Sequence, residues 1–138
     1  MRDGKRLACL GVVFATLAAC GVEDPHVQLL RRLAEIAGQA NQAAPADVDA
    51  DTRLDGAKAG PGLRLTIMYT LVNPESQGIN GTTFGTKLTP VVKDGSCRNT
   101  ELRPLIDQGV VVVLEYRLDN GNPIGTISIN RDTCRAIR

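Results

Sequence analysis

Asp47, Asp49 and Asp51 form a D-x-D-x-D run, the spacing with which a calcium loop presents its first carboxylates. Such a loop also needs glycine at its sixth position and glutamate at its twelfth, and those positions hold Thr52 and Lys58. The run therefore reads as a solvated acidic connector, and no metal site is expected. A Ser/His/acid arrangement would have to use His26, the only histidine of the chain, and a nucleophilic cysteine would lack an imidazole partner for the same reason. Paired carboxylates for acid–base chemistry could come only from Glu101, Asp107 or Glu115, whose spacing favours surface charge. These residues imply no catalytic site, no metal and no cofactor.

The chemistry that is legible lies at the front. Met1 to Arg6 carries three basic residues, Leu7 to Ala19 carries no charge, and Leu17-Ala18-Ala19 leads into Cys20. A basic stretch, an apolar run and small residues before a cut is the order of an export signal. Thirteen apolar residues make a helix of about 20 Å, short of the roughly 30 Å hydrocarbon core, so a permanent membrane span is disfavoured. Leu17-Ala18-Ala19-Cys20 is similar to the lipobox of bacterial lipoproteins. The resemblance implies residues 1–19 as a signal peptide, diacylglycerol on the Cys20 sulfur, cleavage before Cys20 and acylation (typically by palmitate) of the new amino group. Two or three acyl chains hold a protein stably at a bilayer where one would not. In two-membrane bacteria an aspartate after the lipidated cysteine commonly retains the protein at the inner membrane; Gly21 stands there, which implies the periplasmic face of the outer membrane.

With Cys9 inside the signal and Cys20 acylated, Cys97 and Cys134 remain. In an oxidising compartment such a pair is expected to form a structural disulfide; a metal site would want more His or Cys, and no C-x-x-C redox pair is present. Removing residues 1–19 takes away three basic residues and one acidic, leaving a mature chain with one more acidic than basic residue. No basic cluster remains, and the chain has two Phe, two Tyr and no Trp, so neither a phosphate footprint nor a base-stacking platform is available. A nucleic-acid partner is excluded.

The elements that must carry these residues follow from periodicity. Residues 20–26 read as a lipidated tether and 27–138 as one domain. Leu29, Leu33, Ile36, Ala37 and Ala40 recur at helical spacing, with Asp24 as cap, Pro25 in the first turn and an end expected near Gly38. Residues 41–50 read as connector. Residues 52–59 and 63–72 read as a hairpin across Gly60-Pro61-Gly62, with Leu63, Leu65, Ile67, Tyr69 and Leu71 on one face. A helix from Phe84 through Val92 must be kinked or split at Pro90, and a short second helix over 100–108 has Asn99 as cap and Gly109 as stop. Residues 110–118 and 124–130 flank Asn120-Gly121, a strong hairpin signal. The spacing predicts an α+β fold in the order helix, hairpin, helical pair, hairpin: one antiparallel sheet with helices on one face. A Cys97–Cys134 bridge would pin the helical pair to the sheet edge. Met68, Val111 and Val113 form either an apolar patch for a partner or, by preference, a face covered by a helix.

Thr52-Arg53-Leu54-Asp55, Gly60-Pro61-Gly62, Tyr69-Thr70-Leu71-Val72, Cys97, Leu102-Arg103-Pro104, Gly109, Tyr116, Gly125 and Cys134 together resemble a group of small exported bacterial proteins of uncharacterised function. That resemblance implies the pairing of Cys97 with Cys134 and a shared fold. The sequence thus points to a non-catalytic envelope lipoprotein that binds another envelope protein or plays a structural role at the membrane surface. The alternative is a small periplasmic hydrolase or a ligand-binding lipoprotein, which would show carboxylates or amides converging in a deep pocket.

Overall fold

The computed structural model describes residues 21–137; the signal segment and Cys20 lie outside them. Helix α1 spans Pro25–Ala43, opened by the Asp24 carboxylate, which accepts from the His26 amide at 2.8 Å. Its buried positions Leu29, Leu33 and Ala37 repeat every fourth residue. The helix does not end near Gly38. That glycine is exposed and costs about 1 kcal/mol relative to alanine, too little to stop a helix anchored by packing, and the end falls instead before Pro45.

Strands β1 (Ala46–Asp49), β2 (Thr52–Ala59) and β3 (Arg64–Leu71) form an antiparallel meander. The stretch read as connector thus contains a short edge strand, which pairs Ala46 with Leu54 and Asp47 with Arg53. β1 is too short to cover all of β2. Beyond it the Asn41 side chain takes over: its amide donates to the Ala57 carbonyl at 3.0 Å and its oxygen accepts from the Ala57 N–H at 2.8 Å. One side chain thereby satisfies both backbone groups that a longer β1 would have paired. Gly56 beside it must lack a side chain, because a Cβ there would stand 2.7 Å from Asn41 Oδ1.

After β3 the chain runs through a short 3₁₀ turn (Pro74–Gln77) and a π-helical turn (Phe84–Leu88) into helix α2, Thr89–Arg98. Pro90 divides the two helical segments, sitting in the first turn of α2 where its missing N–H costs nothing. Helix α3 is Leu102–Asp107, with the Asn99 side chain accepting from the Glu101 and Leu102 amides. Strands β4 (Val111–Leu118) and β5 (Pro123–Ile129) close the sheet in the order β1-β2-β3-β4-β5.

One expectation fails at the centre. β3 and β4 are parallel, Leu65 lying opposite Val112 and Ile67 opposite Leu114, so the two hairpins do not join into an all-antiparallel sheet. The helical pair between them is a crossover that returns the chain to the end of the sheet where β3 began. Inward-facing Leu65, Val112, Leu114, Ile127 and Ile129 share one core cluster with Leu33 of α1, Cys97 of α2 and Leu105 and Ile106 of α3. Burying each large aliphatic side chain contributes roughly 1.5–3 kcal/mol. The helices therefore occupy one face. Met68, Val111 and Val113 are half-buried on the other and lie outside the core cluster; among the described residues no helix covers them as expected, because α1, α2 and α3 pack on the opposite side.

Beyond β5 the chain forms a further helix, α4 (Arg131–Ala136), which strand periodicity does not reveal. A reciprocal capping box starts it: Asn130 Oδ1 accepts from the Thr133 amide at 2.9 Å and Thr133 Oγ1 from the Asn130 amide at 3.2 Å. Cys134 sits on this helix and is bonded to Cys97 of α2, with Cα atoms 5.3 Å apart. The bridge thus joins helix to helix instead of reaching the sheet edge. Arg131 ties the same corner to α3 by donating to the Asp107 carbonyl at 2.8 Å.

Two stability measurements follow. Asn41→Ala strands the Ala57 amide and carbonyl at the sheet edge and should cost about 1–3 kcal/mol, read as a lower denaturation midpoint with an unchanged slope. Replacing both Cys97 and Cys134 by Ser reopens a 37-residue separation and should cost about 4 kcal/mol on the chain-entropy estimate, measurable against the oxidised protein by urea titration.

Candidate functional site

The parallel β3–β4 pair places Tyr69 directly opposite Tyr116 on the core face. Their rings stack with centroids 5.3 Å apart, and Phe84 from the π-helical turn meets Tyr116 edge-on at 5.6 Å, both favourable aromatic geometries. Phe84 can approach only because Gly125 lies beside Tyr116 on β5; a Cβ at Gly125 would come within 2.3 Å of the Phe84 ring.

The outer end of this aromatic ladder opens into a groove of about 440 Å³. Its floor is Tyr69, Leu71 and Tyr116; one wall is the β1–β2 turn from Val48 to Thr52, and the other is Leu88, the last residue of the π-helical turn, with Val91 and Val92 of α2. Two rim residues are large, apolar and strongly exposed, Val48 at 58% and Val91 at 67%. Buried residues of the same type would face inward, so two exposed valines on opposite rims make the groove an apolar opening. The acidic side chains lie on one wall: Asp49 and Asp51, where Asp49 Oδ1 accepts from the Asp51 amide at 2.8 Å.

The phenols are held protonated. Burial raises the Tyr69 pKa above its usual value. Tyr116 is raised further, first by burial and then by the neighbouring Tyr69 and Asp49 charges. The two rings thus line the groove as uncharged side chains, suited to apolar contact.

The residues singled out for chemistry are dispersed. Asp47, Asp49 and Asp51 belong to the β1–β2 hairpin, and among the described residues no group of three or more His, Cys, Asp or Glu side chains converges to hold a metal. His26 is exposed in the first turn of α1. Glu101 and Asp107 flank α3, Asp107 accepting from Arg103 at 3.0 Å, while Glu115 lies half-buried on the open sheet face. That face carries its own polar set, in which Asp55 accepts from Thr70 Oγ1 at 2.6 Å and from Arg53 Nε at 3.2 Å. Cys97 and Cys134 are brought together and buried on the helical side, away from the groove lining. The alternation in 63–72 puts Tyr69 on one strand face with Leu65 and Ile67; its meeting with Tyr116, Phe84 and Gly125 is not legible in the sequence, since pairing across a crossover leaves no periodic trace.

These features define a small α+β domain: a five-stranded sheet with a parallel centre, helices on one face and a helix-to-helix disulfide. Three solved structures share this fold. A candidate secreted protein of Pseudomonas aeruginosa superposes with a TM-score of 0.68 at 17% identity, covering 83% of this chain and 100% of that one. The pilotin EpsS of the Vibrio vulnificus type 2 secretion system gives 0.66 at 16% identity over 79% of this chain and 94% of its own. The type II secretion pilotin AspS of Vibrio cholerae gives 0.62 at 14% identity, with the same coverage. No protein-family model and no curated protein matches the chain by sequence. Among the described residues no helix is long and apolar enough to cross a membrane.

The phenols supply a direct test. Because the chain has only two tyrosines, absorbance titration at 295 nm should show little phenolate near pH 10 in the folded state. The sign follows from linkage: folded pKa values raised above the unfolded one give stability that is complete below pH ~10 and is lost as pH rises through the folded values. Phenolate should therefore appear together with loss of the fold.

Proposed function

We propose that this chain is a non-catalytic lipoprotein of the bacterial envelope, held on the periplasmic face of the outer membrane by lipid on Cys20, whose groove binds another envelope protein. The observation that carries the reading is the apolar groove over the Tyr69–Tyr116 stack, rimmed by exposed Val48 and Val91. The fold shared with two type II secretion pilotins supports an assembly-related role of the same general kind. The lipobox-like Leu17-Ala18-Ala19-Cys20 supports the anchor, with residues 1–19 removed as a signal. Acyl chains at roughly 0.8 kcal/mol per buried methylene give stable attachment when two or more are present.

The tether between lipid and α1 is short, so the groove stays close to the membrane surface, where a newly exported partner arrives. An apolar ridge on that partner fills the groove and removes Val48, Val91 and the half-exposed part of Tyr69 from water. Asp49 and Asp51 on one wall favour basic side chains along one flank of the ridge.

Affinity capture from solubilised membranes tests this. The native protein should retain one specific envelope protein, and the Val48→Asp/Val91→Asp variant should lose at least tenfold of that capture, about 1.4 kcal/mol, with an unchanged melting profile. Intact mass should show a chain beginning at a lipid-modified Cys20, and Cys20→Ala should leave the precursor uncut. Equal capture by the groove variant, or a mature chain starting elsewhere without lipid, would overturn the reading.

A further inference from the structure

The two edges of the sheet are treated differently. β1 is four residues long, carries Asp47 and Asp49, contains a register irregularity between them, and follows Pro45; where it stops, Asn41 seals the next stretch of β2. Short length, charge, a bulge and a side-chain cover are the devices by which proteins prevent a sheet edge from accepting another strand. β5 has none of these along its middle. Residues 123–129 are Pro-Ile-Gly-Thr-Ile-Ser-Ile, with no charged side chain, and the only irregularity lies at the hairpin end, between the positions facing Tyr116 and Arg117.

The Val111 amide donates to the Leu63 carbonyl at 2.9 Å and the Leu118 amide to the Asn122 carbonyl at 2.8 Å. Along β4, odd-numbered residues therefore direct their N–H and C=O toward β3 and even-numbered ones toward β5. Val112, Leu114 and Tyr116 lie opposite Ile129, Ile127 and Gly125, so these three β5 residues exchange backbone bonds with β4. Thr126 and Ser128 then point their N–H and C=O away from the sheet. Both residues are exposed, and among the described residues no other element bonds their backbone groups.

We propose that β5 pairs with β5 of a second copy of this chain, antiparallel about a twofold axis opposite Ile127. In that register Thr126 faces the partner's Ser128 and Ser128 faces the partner's Thr126, each pair exchanging two backbone bonds. Their hydroxyls lie side by side on the open face, a favourable cross-strand combination. No like charges meet in the paired segment, because residues 123–129 carry no charged side chain. A second copy fits this edge because the segment is complementary to itself: uncharged and with its free backbone groups evenly spaced on either side of the axis. The two sheets become one, and each groove remains outside the contact.

The test uses the protein purified from membranes in detergent and native mass spectrometry. The native chain should show a dimer whose fraction rises with concentration. Thr126→Lys/Ser128→Lys places like charges opposite each other in both pairs and should reduce the dimer at least tenfold; Thr126→Glu/Ser128→Glu should do the same. Mixing the two variants should restore a dimer of mixed composition, which a merely unfolded variant cannot form. A native chain that stays monomeric up to millimolar concentration, or a lysine variant that dimerises as well as the native protein, overturns the proposal.

Discussion

The parallel pairing of β3 with β4 is the constraint on which the rest of this molecule depends. Two strands joined by a hairpin can pair at once, but two parallel neighbours require the chain to travel back across the sheet. Residues 72 to 110 make that journey, and a return path has to be covered on one side by structure that can bury apolar surface. The helical pair supplies it, with Leu105 and Ile106 fully inside the core. Once the crossover lies on one face, α1 and α4 have the same face to pack on, and the opposite face is left to Arg53, Asp55, Thr70 and the partly buried valines.

The same pairing builds the groove. Parallel register puts Tyr69 beside Tyr116 on the inward ladder, beyond the aliphatic pairs Leu65–Val112 and Ile67–Leu114. Aromatic rings project further than the aliphatic layers and hold the π-helical turn at a distance through Phe84, with Gly125 leaving the room it needs. The β1–β2 turn rises on one side and the first turn of α2 on the other, leaving a channel between them. A π-helical turn next to such a surface is consistent with the tendency of these irregular turns to occur near functional sites.

The covalent bridge and the polar edge devices act on what the core leaves loose. α2 and α4 are short helices at opposite ends of a long stretch of chain, too short to be stable by themselves, and their sulfurs join them where Arg131 also reaches the end of α3. At the far edge, a single asparagine finishes a strand that β1 begins. A small domain has little core with which to resist fraying, so these local ties carry a large share of its definition. The likeness to a candidate secreted protein and two pilotins at under 20% identity shows that very different sequences can specify this fold.

What the sequence by itself determined was everything that rests on local pattern. The apolar repeat of Leu29, Leu33 and Ala37 marked α1, the alternation in 63–72 and 110–118 marked the central strands, Asn120-Gly121 marked a turn, and Pro90 marked a break, because each signal is carried by residues a few positions apart. The ordered front end, basic then apolar then Leu17-Ala18-Ala19-Cys20, was legible for the same reason. Only the tertiary structure decided the parallel register, the length of α1 beyond Gly38, the edge strand at Ala46–Asp49, the helix bearing Cys134 and the meeting of Tyr69, Tyr116, Phe84 and Gly125. Each of these depends on contacts between residues far apart in the chain: a strand of four residues is held by its neighbour, a helix runs past a glycine when its end has something to bond, and an aromatic stack forms when a crossover brings two strands side by side. Such contacts are properties of the folded surface, and no window of sequence contains them.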